Sequence, residues 1–188
     1  MKTFVYIDHF KGEAVAASWE AIGAAKALGG DVTAVVLGSG VDALANVAFE
    51  FGADEVLLGD DAALADFRVE NFTTALSALV ADAAPGLLLF PTTSRARELA
   101  GMTAIDLNTG VLVDVTALEM DGDKVVATRP IYAGKLLQKT VCNATPQIVT
   151  LRGRAFAKPE ATAGATGTLT QVDVTVGDEK STVEGYAA

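Results

Sequence analysis

The chain has 188 residues, of which 51% are hydrophobic and 20% are charged, and this composition is typical of a globular protein with one sizeable core. Its 24 acidic and 14 basic side chains give a formal net charge of −10, which disfavours binding to nucleic acid or to anionic lipid surfaces. A single cysteine excludes an intrachain disulfide, and a single histidine excludes the usual multi-histidine metal site. Because the first residues have the pattern of a strand and not of a signal peptide, we expect a cytoplasmic location.

Roughly the first 110 residues alternate strand-like and helix-like segments. The apolar patterns predict strands at residues 3–8, 31–37, 55–58 and 87–90, and helices at residues 14–28, 42–51, 67–83 and 95–107. The strands are apolar on both faces, which is typical of a parallel sheet covered by helices on both sides. We therefore predict a doubly wound α/β domain with a mainly parallel sheet.

Four further strand-like runs follow without a helix between them, at residues 111–118, 124–128, 135–142 and 147–151. They predict an antiparallel meander that extends the sheet edge, with a hairpin turn at Gly122.

The last part of the chain has a different composition. Residues 158–168 are rich in Ala, Thr, Gly and Pro, as in a linker, and residues 168–176 fit one more strand or an arm. We expect an α/β domain with its meander over residues 1–157 and a linker or arm over residues 158–188.

A glycine-containing loop follows the second predicted strand. Gly38, Gly40 and Ala43 fit the spacing G-x-G-x-x-A, and Asp60 and Asp61 lie about 20 residues further on. Such a loop can hold a pyrophosphate, because glycine admits close approach and the helix N-terminus presents unpaired N–H groups. The dinucleotide fingerprint belongs to the first strand–helix unit, however, so this position favours a tight turn with a capping residue.

The residues after the fourth predicted strand form a candidate anion site. Thr92, Thr93, Ser94 and Arg95 bring hydroxyl groups and a guanidinium group to a helix N-terminus. Ligands of open α/β sheets bind outside the carboxyl ends of the strands, and these four residues lie there. The same residues also fit a helix cap with Thr93 or Ser94 as the capping residue, and the two interpretations are compatible.

The remaining candidates have weaker patterns. His9 and Cys142 have no neighbours that complete a catalytic triad, so we expect a structural or interface role for His9 and no catalytic residue in the chain. Arg129, Pro130, Tyr132 and Gly134 join two strand-like runs, and Tyr and Arg are favoured interface anchors, although the same residues fit a simple edge turn. The run RGRAF at residues 152–156 allows the same two interpretations.

Several segments, in order, resemble the alpha subunit of electron-transfer flavoproteins, including the FixB-like members of that family. They are VYIDH at residues 5–9, the helix at residues 91–100, DLNTGVLVDVT at residues 106–116, RPIYAG at residues 129–134 and LRGRAF at residues 151–156. The resemblance implies an adenine-nucleotide hydrolase-like fold that serves as a scaffold facing a beta subunit.

The same resemblance implies a flavin carrier in place of an enzyme. In that family the heterodimer carries FAD, usually with AMP on the beta subunit, and passes electrons from dehydrogenases to an acceptor. The flavin lies mainly in a C-terminal domain that would begin near residue 190, so no FAD ligands are assigned to this chain. In related folds, the position of Thr92–Arg95 holds a nucleotide phosphate, so the resemblance implies a vestigial anion site there. We expect the interface with the beta subunit at Arg129–Gly134.

Two other functions stay open at this point. A free-standing adenine-nucleotide-binding protein resembling universal stress proteins shares the expected sheet, although residues 91–95 replace that group's glycine-rich loop. A small hydrolase or transferase would have to rely on His9 or Cys142 without visible partners. The sequence also leaves open whether the isolated chain self-associates through the surface that a beta subunit would cover.

Overall fold

The computed structural model describes residues 1–178 and 180–187, which form an α/β fold. Its strands are β1 (Thr3–Tyr6), β2 (His9–Phe10), β3 (Glu13–Ala14), β4 (Val32–Gly38), β5 (Glu55–Asp60), β6 (Leu87–Pro91), β7 (Val111–Val115), β8 (Ala117–Asp121), β9 (Lys124–Ile131), β10 (Leu136–Thr140), β11 (Gln147–Leu151) and β12 (Thr168–Gln171). Its helices are α1 (Ala16–Leu28), α2 (Ala43–Glu50), α3 (Val69–Ala83) and α4 (Ser94–Asp106), and Ala62–Leu64 forms a 3-10 turn. No helix in the described part of the chain is both long and apolar enough to cross a bilayer.

Seven strands form the main sheet in the order β12-β5-β4-β1-β6-β11-β7, and every neighbouring pair is parallel. From β1 the chain moves through β4 to β5 on one side, and then crosses to β6 on the other side of β1. The direction of winding therefore reverses between β1 and β6. In open α/β sheets, a ligand crevice forms at the carboxyl ends of the strands that flank such a reversal.

Two apolar cores cover the two faces of this sheet, as the sequence predicts. Along β1, Phe4 and Tyr6 point into the core with α3 and α4, whereas Val5 lies in the core with α1 and α2. All three side chains are at most 1% exposed. Alternate residues of one strand thus serve both cores, which explains why the strand is apolar throughout instead of alternating apolar and polar residues. The doubly wound α/β prediction is confirmed.

The antiparallel part is smaller than the sequence predicts. In the described chain the antiparallel sheet next to the main one consists of β8, β9 and β10, while β7 and β11 pair in parallel within the main sheet. The predicted antiparallel meander is confirmed as this small sheet, but residues 111–115 and 147–151 of the predicted runs belong to the parallel main sheet. A parallel pair needs a long crossover, which is usually a helix. Here the three-stranded sheet is itself the crossover from β7 to β11, and the sequence offered no helix to reveal it.

The hairpin turn between β8 and β9 is where the sequence predicts it, with Gly122 at φ 62°. The end of the chain adds β12 to the sheet edge beside β5, and Val172, Val174 and Val176 pack against the core that holds α3 and α4. Residues 179 and 188 of the predicted linker or arm lie outside the described residues. The division near residue 158, and a flavin domain after it, stay predictions.

Candidate functional site

A bidentate ion pair lies at the point where the winding of the sheet reverses. Asp8 follows β1 and Arg95 lies in the first turn of α4, directly after β6. Arg95 Nε donates to Asp8 Oδ1 at 3.1 Å, and Arg95 Nη2 donates to Asp8 Oδ2 at 3.3 Å. The Asp8 side chain is 1% exposed and that of Arg95 is 28% exposed. The cation predicted to hold an external anion thus already binds a carboxylate of its own chain.

The other predicted anion-site residues shape the start of α4. Thr93 is the N-cap, and its side-chain oxygen accepts a hydrogen bond from Ala96 N at 3.0 Å, so the capping interpretation holds for Thr93 and not for Ser94. The Thr92 hydroxyl oxygen is buried and has no hydrogen-bond partner among the described residues. The structure brings Thr92–Arg95 together at the predicted strand end, and anion binding there stays a prediction.

His9 has a structural role in this crevice. Its Nε2 donates to Leu37 O at 2.8 Å, which ties the end of β1 to the end of β4. A Cβ atom on Gly38 would lie 2.8 Å from this nitrogen, so the imidazole requires glycine at that position. The described residues hold no group of three or more His, Cys, Asp or Glu side chains placed to bind a metal ion.

The glycine loop binds a carboxylate of its own chain. Gly40 N and Val41 N donate to Asp60 Oδ1 and Oδ2 at 2.8 and 3.0 Å, and Asp60 ends the neighbouring strand β5. Asp42, the N-cap residue of α2, makes no side-chain capping bond. The tight-turn interpretation is therefore supported, with the cap supplied from 19 to 20 residues further along the chain. The N–H groups that would hold a phosphate are already paired.

A pocket of about 140 Å³ lies beside the Asp8–Arg95 pair. Its lining combines rings with cationic groups, including Tyr6, Phe10, Lys11, Phe72, Arg95 and Tyr186. Tyr186 comes from the chain's last described residues, and its hydroxyl donates to Asp66 Oδ1 at 2.8 Å. Sequence reasoning found Arg95 but missed the rings, because they come from four separate segments.

The second candidate surface is the hairpin between β9 and β10. Tyr132, Ala133 and Gly134 have φ angles of 49°, 54° and 85°, so three successive residues adopt left-handed conformations in this turn. Only glycine adopts such angles freely, and the two other residues carry strain of about 1 kcal/mol or more each. Tyr132 is 74% exposed, so no packing of its ring within the chain compensates for this strain.

The strand after this turn exposes further apolar side chains. Leu136 is 55% exposed and Leu137 is 72% exposed. Strand β10 is the outer strand of the small sheet, and in the described chain its outer backbone edge pairs with no other strand. Soluble proteins usually cover or charge such edges, and large exposed apolar patches mark interaction sites. We call Tyr132, Leu136 and Leu137 the hairpin patch.

Comparison with known proteins identifies the family of this chain. Residues 3–176 match the electron transfer flavoprotein domain family. The chain belongs to the electron transfer flavoprotein family. This result confirms the resemblance seen in the sequence motifs, and it agrees with the parallel sheet described above.

Individual relatives of this family cover most of the chain. It is 36% identical to protein FixB of Bradyrhizobium diazoefficiens over 165 residues, which is 83% of this chain and 45% of that protein. It is 32% identical to electron transfer flavoprotein subunit alpha of Syntrophomonas wolfei over 150 residues, which is 80% of this chain and 47% of that protein. It is also 30% identical over 176 residues to lactate dehydrogenase (NAD(+),ferredoxin) subunit LctC of Acetobacterium woodii, which is 90% of this chain and 42% of that protein. The chain spans about half the length of the curated relatives it matches.

The two strand-end loops do not fit the flavin dinucleotide that this family name implies. The N–H groups of the glycine loop donate to Asp60, and Nε and Nη2 of Arg95 donate to Asp8, which offsets the charge of the guanidinium group. The pocket beside them, at about 140 Å³, is smaller than the roughly 300 Å³ from which drug-sized ligand sites start. These loops of this electron transfer flavoprotein domain therefore offer no cradle for FAD.

The RGRAF segment, in contrast, completes the edge of the domain. Arg152 Nε donates to Asp114 Oδ1 at 2.7 Å, and Arg152 Nη2 contacts the other carboxylate oxygen. Arg154 N donates to the Glu20 carboxylate at 2.6 Å, and Phe156 packs against the core that holds α1 and α2. These contacts favour the interpretation that this segment finishes the sheet.

Proposed function

We propose that this chain is the N-terminal scaffold part of an electron-transfer flavoprotein alpha-type subunit and that it docks a beta subunit. In the heterodimer, FAD carries electrons from dehydrogenases to a downstream acceptor, and AMP lies on the beta subunit. The chain itself acts as part of a carrier and has no catalytic role. Its task is geometric, because it fixes the position of the partner relative to the flavin.

The observation that carries this proposal is the hairpin patch, in a chain that belongs to the electron transfer flavoprotein family. Tyr132, on the strained turn, and Leu137, on β10, are each more than 70% exposed. Tyrosine and arginine are enriched among the residues that dominate binding at protein interfaces, and the hairpin presents Tyr132 exposed to solvent. Strained backbone at an exposed position likewise points to a functional constraint.

The predicted interface residues and the hairpin patch belong to the same hairpin. Arg129 pairs with Gln138 and Pro130 pairs with Leu137 across β9 and β10, so they lie directly opposite strand β10. Gly134 lies in the same turn as Tyr132. Docking of the beta subunit at Arg129, Pro130, Tyr132 and Gly134 stays a prediction. We add Leu136 and Leu137 to this proposed docking surface.

Sedimentation velocity of the chain with a matching beta subunit tests the proposal. We expect a 1:1 complex for the unchanged chain, and at least a tenfold weaker association after Leu137→Asp or after Tyr132→Ala with Arg129→Ala, because hot-spot residues contribute about 2 kcal/mol or more. The same experiment without the beta subunit shows whether the patch pairs two copies of this chain.

Ile105→Asp is the matched control. Ile105 lies on α4 and is 79% exposed. The small sheet packs against one face of the main sheet, and α4 packs against the other face. This variant should bind the beta subunit as the unchanged chain does. Equal affinity of the Leu137→Asp and Ile105→Asp variants would contradict docking through the hairpin patch. Absence of any complex with the unchanged chain would contradict the scaffold role as a whole.

A further inference from the structure

A tyrosine side chain forms part of the wall of the pocket beside the Asp8–Arg95 pair. Tyr6 lines the pocket and its side chain is 1% exposed. Its hydroxyl group is not among the fully buried polar atoms that lack a partner in the described residues. A hydroxyl group that borders a pocket can exchange a water molecule for a polar atom of a ligand.

This hydroxyl group can act only as a neutral donor or acceptor. Burial, reinforced by the neighbouring Asp8 carboxylate, raises the pKa of Tyr6, although Arg95 opposes this shift. The group therefore keeps its proton and can donate to an oxygen placed in the pocket. The Phe90 ring packs against the Tyr6 ring, with the two ring centroids 5.5 Å apart, and this contact supports the position of the Tyr6 ring.

The rest of the lining is aromatic. Phe67 and Phe72 form one pair with ring centroids 4.9 Å apart, and Phe10 and Tyr186 form another at 5.0 Å with an edge-on arrangement. All four rings line the pocket. Aromatic rings attract a further ring through offset or edge-on contacts. The volume of about 140 Å³ is close to that of cavities of about 150 Å³ that hold benzene, so one ring fits.

The lining also contains two cationic side chains. Lys11 and Arg95 are the charged side chains among the described lining residues, and both are cationic in a chain whose net charge is −10. Asp8 uses Nε and Nη2 of Arg95, and a guanidinium group has five N–H donors, so donors remain. Lys11 Nζ lies 5.4 Å from the centroid of Phe10 and 5.1 Å from that of Tyr186.

We propose that this pocket is a binding site for a small aromatic carboxylate with a single ring. The ring lies among Phe10, Phe67, Phe72 and Tyr186, and the carboxylate accepts a hydrogen bond from the Tyr6 hydroxyl beside Arg95 and Lys11. The site is separate from the hairpin patch and does not depend on beta-subunit docking. Tyr186 completes one wall and is held by its hydrogen bond to Asp66.

Titration of the full chain with sodium benzoate, followed by ¹⁵N-resolved NMR and by calorimetry, tests this site. We expect saturable binding in the millimolar range, as for other ligands of so few atoms, with shifts centred on Phe10, Leu64 and Phe72. Cyclohexanecarboxylate has the same charge without the aromatic ring and should bind about fivefold more weakly. Benzamide has the ring without the charge and should also bind more weakly.

Tyr6→Phe and Tyr132→Phe form a matched pair of variants. Tyr6→Phe removes the hydroxyl without changing the packing, so the fold is retained, and benzoate should bind about fivefold more weakly. Tyr132→Phe removes an exposed hydroxyl at the hairpin patch and should bind benzoate as the unchanged chain does. Lys11→Gln should weaken binding about threefold through the loss of one cation.

Three outcomes would overturn the proposal. One is the absence of a saturable response to benzoate well above the millimolar range. Another is equal affinity of the Tyr6→Phe variant and the unchanged chain for benzoate. The third is equal binding of cyclohexanecarboxylate and benzoate, which would show a charged crevice without a ring site. Circular dichroism and thermal unfolding of each variant establish that a loss of binding is not a loss of fold.

Discussion

Asp8 and Arg95 come from two different strand ends and meet at the point where the sheet changes its direction of winding. Their two contacts, at 3.1 and 3.3 Å, give the fork-to-fork geometry of a strong guanidinium–carboxylate pair. Asp8 N also donates to Ser18 Oγ at 3.0 Å, so α1 is bound to the same residue. Asp8 therefore links the end of β1 to both α1 and α4 at this crevice.

Arg95→Met should lower the free energy of unfolding by about 3 kcal/mol, because it leaves the Asp8 carboxylate buried without its cation. Methionine keeps much of the side-chain volume, so the loss reports the charge more than the packing. Urea unfolding at neutral pH measures it. The double variant Asp8→Asn with Arg95→Met should recover most of the loss, because no buried charge then remains.

The control for this prediction is an exposed ion pair. Lys26 and Asp54 lie 3.3 Å apart, but their side chains are 43% and 48% exposed. Lys26→Met should therefore change the free energy of unfolding by less than about 1 kcal/mol. A loss in Arg95→Met no larger than that in Lys26→Met would show that the Asp8 pair does not hold the crevice.

Asp60→Ala should destabilise the glycine loop by about 1–2 kcal/mol, because two backbone N–H groups lose a charged acceptor. Asp60→Asn should cost less, since the amide oxygen can still accept one of the two hydrogen bonds. Hydrogen exchange at Gly40 and Val41 locates the effect. Asp82→Ala, which removes a carboxylate on α3, is the control. If hydrogen exchange at Gly40 and Val41 became faster by the same factor in both variants, Asp60 would not be the group that protects these amides.

The central sheet could be predicted because each of its strands has a local signal. Strands β1, β4, β5 and β6 are short apolar runs, and helices with apolar faces lie between them. The predicted helix at residues 67–83 and the observed Val69–Ala83 differ at one end only. The pairing of β7 with β11 could not be predicted, because it depends on how the small sheet folds back.

The candidate sites were predicted less completely, because their contacts join distant residues. Thr92–Arg95 could be located from the position after a strand, yet nothing in the sequence indicates that Asp8 binds Arg95 from 87 residues away. The approach of Asp60 to the glycine loop and of Tyr186 to Phe10 is equally non-local. Leu136 and Leu137 read as an ordinary apolar strand, and only the edge position of β10 shows that they are exposed.

Asp114 should make the stability of the chain depend on pH in the acid range. A hydrogen bond from Arg152 holds the pKa of the Asp114 carboxyl below its ordinary value of 3.8, because it favours the charged form. A lowered folded-state pKa contributes stability above the unfolded pKa, and this contribution is lost as pH falls through the folded value. Asp114→Asn should therefore lower the urea midpoint slightly at pH 7 and leave it unchanged in strong acid.

Asp121→Asn is the control for this pH dependence. Asp121 is an exposed carboxylate that ends β8 next to the hairpin turn, and its side chain makes no hydrogen bond within the described residues. Its urea midpoint at pH 7 should equal that of the unchanged chain. The urea midpoints of the Asp114→Asn variant and the unchanged chain should converge in strong acid. A difference that stays constant down to strong acid would show that the ionised Asp114–Arg152 contact does not cause it.

Cys142 should react with iodoacetamide at lower pH than an ordinary thiol does. Burial alone would raise the pKa of Cys142, but hydrogen bonds, foremost from the backbone at Ala144, and the nearby Lys124 ammonium favour the thiolate and hold the pKa below its ordinary value. The alkylation rate should reach half of its maximum at a lower pH than the rate of free cysteine. Lys124→Gln should move that midpoint upward and leave the fold intact, since Lys124 is half-buried at the start of β9. A midpoint at or above that of free cysteine would show that burial dominates at this thiol.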